Sequence, residues 1–331
     1  MNRFSQPHVV VITGASSGIG RTAALLFAKL GASVVLAARN EIGLKEVHTQ
    51  IEAAGGTAVI VPTDVADSQQ MTQLAATAYE RFGRIDTWVN DAAVSIYGEF
   101  EQITLAEFER VIQVNVMGVV YGCQAVLPYM RQQGHGTIIN IASVLGERSV
   151  PLQSAYCASK HAVKGFTESL RMELAAQESG IHVTLILPAS INTPFFRHAR
   201  SKMGVQAKPI PPVYEPEVVA EAILMAAQGH HRRIYAGGAS KMFALMEYLN
   251  PRLIDWLMVQ NRIAFKAQQS DLPPPSRDSL FEPIQEPGSH RGEWAGAKPL
   301  SLYTQKISRI PSGVWWAMAL FIAGLWRGLR R

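Results

Sequence analysis

The sequence predicts a doubly wound α/β fold: a parallel sheet with helices on both faces, followed by a helical and linker extension and an apolar tail. Three observations predict it. Apolar runs such as Val9-Val10-Val11-Ile12 and Ser33-Val34-Val35-Leu36 are continuous rather than alternating, and strands of that kind are buried on both faces. Strand and helix patterns alternate strictly as far as Tyr235, which is the rhythm of a sheet wound by crossover helices. Apolar residues make up 48% and charged residues 17% of the 331-residue chain, so a sizeable core is available and global disorder is excluded.

In order along the chain, the first strand spans 8–13 and is rich in Val and Ile. A helical pattern covers 19–30 and leads to the second strand, 33–38. Helix 42–54 leads to strand 57–62, helix 68–82 to a short strand at 87–89, and a long helix at 105–132 to strand 137–141. Helix 154–177 precedes strand 182–187, and helix 216–227 precedes the last strand, 232–235. The body is therefore one domain, 1–240. An apolar-faced helical extension follows at 241–270, interrupted at Asn250-Pro251. Residues 271–305 carry Pro273-Pro274-Pro275, Pro283, Pro287, Gly288, Gly292 and Gly296 and read as an extended or disordered linker. An apolar segment at 306–331 ends the chain.

Charge is distributed unevenly. Residues 1–261 hold 21 Lys and Arg against 21 Asp and Glu, whereas 262–331 hold ten against five. A neutral body argues against nucleic-acid binding. Two cysteines, Cys123 and Cys157, exclude a disulfide scaffold, suit a reducing compartment, and lack the spacing of a zinc site. No metal site is expected. The first six residues are too short and polar for a signal peptide.

The first strand runs into Thr13-Gly14-Ala15-Ser16-Ser17-Gly18-Ile19-Gly20, and a helix follows. Gly14 allows a tight turn, Gly18 lets the backbone approach a pyrophosphate, and Gly20 lets the helix pack closely on the strand. The helix N-terminus then offers free N–H groups and a favourable dipole to phosphate. At the end of the second strand, Ala38-Arg39 stands where a carboxylate would bind the ribose hydroxyls of NAD. Arg39 suits a 2′-phosphate, which favours NADP(H) over NAD(H).

Ser143, Tyr156 and Lys160 carry the reaction hypothesis. Tyr156 and Lys160 share one helix face at i and i+4. Ser143 ends the preceding strand, so all three converge beyond the carboxyl edge of the sheet, where ligands of such folds bind. A free tyrosine titrates near pH 10, roughly; a neighbouring ammonium and a cationic nicotinamide both favour its phenolate.

With these residues in view, the chain resembles the short-chain dehydrogenase/reductase superfamily. The matching elements are Thr13-Gly14-x3-Gly18-Ile19-Gly20, Asp64-Val65, Asn90-x-Ala92, Asn115, Ser143 and Tyr156-x3-Lys160, in the expected order from Met1 to about Tyr235. The resemblance implies a Rossmann-type catalytic domain and an enzyme acting on CH–OH groups. It implies that Tyr156 is the general acid or base, that Lys160 binds the nicotinamide ribose and lowers the tyrosine pKa, and that Ser143 polarises the substrate carbonyl. It implies further that Asn115 holds a relay water, that Asp64, beside Val65, contacts the adenine, and that Asn90, beside Ala92, steadies the cofactor side of the sheet. Thr193 would contact the nicotinamide carboxamide, and Ser16, Ser17 and Ile19 would belong to the phosphate cradle. Two departures stand out. The chain reads Asn90-Asp91-Ala92-Ala93 where the family commonly has Asn-Asn-Ala-Gly, and Pro188-Ala189 where it often has Pro-Gly.

Residues 192–214 fall where the family's substrate lid sits. They carry Phe195, Phe196, Met203, Ile210 and Val213 together with Arg197, His198, Arg200, Lys202 and Lys208. Such a lid suits a lipophilic carbonyl, with an anionic group as an option, and Val94 and Leu145 are expected pocket walls. Residues 310–326 form a 17-residue uncharged run with Trp315, Trp316 and Trp326 near its ends. It would span about 25 Å as a helix, and its aromatic ends suit a membrane interface; a helix docked on its own domain or on a partner subunit, or an unstructured tail, is the alternative. The expected function is thus an NADP(H)-dependent carbonyl reductase or alcohol dehydrogenase, with a cytoplasmic catalytic domain held at a membrane by the tail. A homo-oligomer paired through the helices at 105–132 and 154–177 is a further expectation. The alternatives are a soluble 3-oxoacyl-type or sugar-type dehydrogenase and a non-catalytic NADP(H)-binding scaffold.

Overall fold

The computed structural model describes residues 7–305. The apolar run at 310–326 lies outside them. Seven strands form one parallel sheet: β1 (Val9–Thr13), β2 (Ser33–Ala38), β3 (Thr57–Pro62), β4 (Thr87–Asn90), β5 (Gly136–Ile141), β6 (Ile181–Pro188) and β7 (Arg233–Ala236). Their order across the sheet is β7-β6-β5-β4-β1-β2-β3. The order reverses between β1 and β4, which makes the crevice beyond the carboxyl ends of those strands the place for a ligand.

The continuous apolar strands have a direct structural cause. Val10 and Ile12 of β1 pack into the layer formed with α1 (Gly18–Lys29) and α8 (Glu217–Gln228), whereas Val11 faces the opposite layer. That second layer contains α3 (Ser68–Phe82), α5 (Gly118–Gln133) and α6 (Ser154–Ala176). With helices on both faces, the inner strands have no solvent side to leave polar, and among the long strands only the edge strand β3 has exposed residues. The remaining crossover helix is α2 (Glu41–Ala53).

The long helix expected at 105–132 is interrupted. It consists of α4 (Leu105–Ile112), one π-helical turn at Gln113–Met117, and α5. Thr104 and Glu107 cap the start of α4 reciprocally. The extra residue of a π-turn re-aims the side chains around it, and Asn115 lies within it. The run Leu105–Gln133 is long and apolar enough to cross a membrane, but in this fold α5 packs on α3 and α4 on α6.

After β7 come α9 (Gly238–Leu249), α10 (Pro251–Val259) and α11 (Ile263–Lys266). The break at Asn250-Pro251 is a helix start: Asn250 accepts the Leu253 N–H, and Pro251 occupies the first turn, where its missing donor costs nothing. Buried Arg148 ties this extension to the body by pairing with Glu247 of α9 (2.5 Å) and with Asp255 of α10. The Pro- and Gly-rich stretch that reads as a linker is extended, but it is packed on the body. Its backbone carbonyls meet donors of the Gly-rich loop and of the end of β2. A short helix, α12 (Leu302–Gln305), follows.

Candidate active site

β1 ends at Thr13, the chain turns at Gly14 with φ +74°, and α1 starts at Gly18. The loop and helix approach so closely that a Cβ on Gly20 would sit 2.5 Å from the Gly14 carbonyl oxygen. Thr13 knots this turn to the loop after β4. Its hydroxyl donates to Val89 O (3.2 Å) and accepts the N–H groups of Asp91 (3.0 Å) and Ala92 (3.2 Å).

Asp91, the first departure from the family pattern, is half-buried under the turn, its carboxylate against Gly14 and Gly20. Burial raises its carboxyl to about 7, against the pull of the Lys160 ammonium. Lys160 donates from Nζ to Ile141 O (2.9 Å), and burial lowers it to about 8 while Asp91 opposes the shift. An Asp91→Asn variant keeps an oxygen against Gly14 and Gly20 but removes the charge. The Lys160 ammonium then loses its support, and the alkaline limb of activity should move to lower pH by about half a unit or more. Stability gives a second readout. A carboxyl raised from about 4 in the unfolded chain to about 7 loses its proton first on unfolding. It therefore destabilises the fold progressively as pH climbs through that window. The melting temperature of the variant should gain on the parent between pH 5 and pH 7.5; a constant gap would show that Asp91 does not titrate there.

Ser143 lies just past β5, Tyr156 in the first turn of α6, and Lys160 one turn later. The Ser143 hydroxyl accepts the Leu145 N–H (3.1 Å) and is placed to favour the Tyr156 phenolate. Lys160 Nζ is 5.5 Å from the centre of the Tyr156 ring, and the Phe195 ring is 5.7 Å away. Burial pushes the phenol above its ordinary value, and the Ser143 hydroxyl acts against that. The sequence argument expects a lowered pKa; in the protein itself the desolvation of the phenol outweighs the help it receives. Asn115 stands behind the cavity wall. Its amide donates to Val94 O and Ser159 Oγ (both 3.0 Å) and accepts Val94 N–H (2.8 Å). It thus ties the wall residue Val94 to α6 next to Lys160.

Arg39 extends from the end of β2 beside Asp64, 4.0 Å away. Asp64 is bonded more closely to Arg110 of α4 (2.7 Å) and accepts the Ala66 N–H (3.0 Å). Burial alone would raise its carboxyl; Arg110, the Ala66 N–H and Arg39 together hold it below the usual range. Arg110 has no motif to announce it, because only the packing of α4 brings it here. Asn90 is placed differently from Arg39 and Asp64. It is buried behind the crevice, accepting Trp88 Nε1–H and donating to Asn140 Oδ1 (both 2.8 Å). It braces β4 against β5 from within and is not part of the crevice lining.

Gly14, Ser16, Ser17, Gly18, Ile19, Arg39, Asp64, Val65, Ala92, Ser143, Tyr156, Lys160 and Thr193 all line one cavity of about 480 Å³. Val94 and Leu145 line it too. Its far end is apolar, walled by Phe195 and Phe196 of α7 (Phe195–His198), Ile210, and Phe243, Met246, Ile254 and Leu257 of the extension. The basic residues of the lid largely face elsewhere. Arg197 and His198 pair with Glu286, Arg200 with Glu107 and Asp278, and Lys202 with Glu107. Of the lid's basic residues, His198 and Lys208 line the cavity among those described. The contributions of α9–α11 and of Ser279, Pro283 and Ile284 escape sequence reasoning. Nothing local marks an extension as part of a site formed some 200 residues earlier.

Residues 8–204 match the family model for short chain dehydrogenases. The uncharacterised oxidoreductase YxnA of Bacillus subtilis (strain 168) is 40% identical over 308 residues, 91% of this chain and 85% of the relative. That alignment is long enough to run past residue 204 into the extension. Among solved structures, a levodione reductase superposes with a TM-score of 0.64 at 30% identity, covering 71% of this chain and 98% of that one. An alcohol dehydrogenase of the archaeon Thermococcus sibiricus, complexed with 5-hydroxy-NADP, superposes with a TM-score of 0.61 at 23% identity, covering 70% and 96%.

Proposed function

The chain belongs to the short chain dehydrogenase family of oxidoreductases, and on that premise we propose that it interconverts a lipophilic carbonyl compound and its alcohol with NADP(H), using Tyr156 as the proton donor or acceptor. The observation that carries this reading is the shared cavity: Ser143, Tyr156, Lys160 and the Gly-rich loop all open onto it. The nicotinamide, when bound, supplies or accepts the hydride. The chain's own residues do the rest. Ser143 orients and polarises the substrate oxygen, and Tyr156 passes a proton to that oxygen during reduction. Lys160 stabilises the phenolate left behind. At the start of α1 a phosphate would take the Gly18 N–H, which here bonds Ser289 O.

The cofactor preference rests on Arg39, which follows Ala38 where NAD-binding sites carry a carboxylate. The substrate class rests on the apolar end of the cavity. The outer sides of the helices that form that end expose Leu245, Tyr248, Leu249, Leu253 and Trp256, and an apolar patch of this kind suits a lipid surface. The uncharged sequence at 310–326 supports the same association. The test is a series of aliphatic aldehydes and ketones of increasing chain length, assayed with NADPH and NADH, together with sedimentation on phospholipid vesicles. We expect kcat/KM to rise with chain length, NADPH to be preferred by about tenfold or more, and the protein to pellet with the vesicles. A preference for NADH would sink the Arg39 argument, best activity on small polar carbonyls the substrate class, and a protein left in the supernatant the membrane association.

A further inference from the structure

Two donors that a dinucleotide's phosphates would use, Arg39 and the Gly18 N–H, and two donors beside them hold backbone carbonyls of the chain's own C-terminal segment. Arg39 donates to the carbonyls of Ser279 and Phe281 (both 2.6 Å). Asn40 donates to Glu286 O (2.8 Å), Arg21 to Gly288 O (2.5 Å), and the Gly18 N–H, at the head of α1, to Ser289 O (2.9 Å). The segment then reaches the far side of the crevice, where the Gly292 N–H donates to Asn192 O (3.1 Å). It therefore runs the length of the dinucleotide crevice, from the 2′-phosphate position to the residue before Thr193. Its fit is close. A Cβ on Gly288 would overlap the Ser16 carbonyl oxygen, and one on Gly292 would sit 2.7 Å from Thr193 O. Leu280 anchors it by burying its side chain in the core, and the Glu286 carboxylate pins it to Arg197 (2.6 Å) and His198 (3.1 Å). Ser279, Pro283 and Ile284 roof the cavity.

We propose that residues 279–292 are a strap that covers the dinucleotide site, and that a 2′-phosphate, by competing for Arg39, detaches its first half. This rests on the NADP(H) reading above and deepens it. The two ligands of the guanidinium are not equivalent. A carbonyl is a neutral acceptor, whereas a phosphate is an anion with oxygens spaced for two parallel hydrogen bonds to arginine. A 2′-phosphate replaces the Ser279 and Phe281 carbonyls; a 2′-hydroxyl, being neutral, does not. The free strap thus screens the site, and the phosphate that distinguishes NADP(H) from NAD(H) is also what loosens it.

Hydrogen–deuterium exchange on the full-length protein tests this, with adenosine 2′,5′-bisphosphate and adenosine 5′-phosphate as probes, each at a concentration shown by calorimetry to saturate. We expect the bisphosphate to accelerate exchange in peptides covering 278–286 by about tenfold, since that end opens locally, and the monophosphate to leave it unchanged. An Arg39→Gln variant should exchange fast at the same peptides without ligand and show no difference between the probes. Equal exchange with both probes bound to the parent, or slower exchange with the bisphosphate, overturns the strap while leaving the NADP(H) reading intact. Failure of the bisphosphate to bind overturns both.

Discussion

Tyr156→Phe should lower kcat for carbonyl reduction by about a thousandfold or more, within the range that a positioned acid contributes, and leave cofactor affinity nearly unchanged. The ring is retained, so its packing against Phe195 and its place beside Lys160 are kept. What disappears is a hydroxyl on a ring that lines the cavity. Burial disfavours the phenolate here, so the site must supply positive charge at the moment of proton transfer, and Lys160 is the buried cation placed to do so. Steady-state turnover and nicotinamide fluorescence titration check the two halves separately. A variant that turns over at the parental rate would remove Tyr156 from the reaction.

Gly20→Ala should cost at least about a hundredfold in cofactor affinity and lower the melting temperature, as overpacking against backbone does. The added Cβ would meet the Gly14 carbonyl oxygen at 2.5 Å, and backbone cannot rotate away as a side chain can. To relieve the contact the turn must move. Because Thr13 binds Asp91 and Ala92, the opposite wall moves with it. Gly165→Ala in α6 is the matched control. A Cβ there meets nothing within 4 Å, so this change should stabilise the helix by up to about 1 kcal/mol and leave cofactor binding alone. Calorimetric titration and thermal melts distinguish the two; parental affinity in Gly20→Ala would show that the turn tolerates displacement.

Much of the fold is legible in the sequence because doubly buried strands leave a signature that local composition alone can carry. The runs that make β2 and β3 end where the structure ends them. The Gly-rich turn is legible for a similar reason: its spacing encodes its geometry within eight residues. Arg110 and Asp91 are harder. Arg110 becomes a partner of Asp64 only through the packing of α4, and Asp91 matters because of what buries it. The π-turn at Gln113–Met117 is invisible to periodicity, since it interrupts a helix without any residue that breaks one. Least legible is the segment after Asp278. Prolines and glycines leave residues 279–301 without helix or strand, whereas α12 (Leu302–Gln305) breaks the linker reading at its end; extended backbone, however, has carbonyls to offer. Whether those face water or a guanidinium is decided by residues some 240 positions away.

The helices α9 and α10 present Met246 and Ile254 to the cavity and Tyr248, Leu253 and Trp256 to the outside. Two selective pressures therefore bear on about twenty residues with no room between the inner and outer layers. Recolouring the exterior with polar side chains to ease handling would tilt or shift these short cylinders, and the shape of the chamber would follow. Breadth of substrate choice and behaviour in plain buffer should prove inseparable in this chain, so that engineering for one rewrites the other.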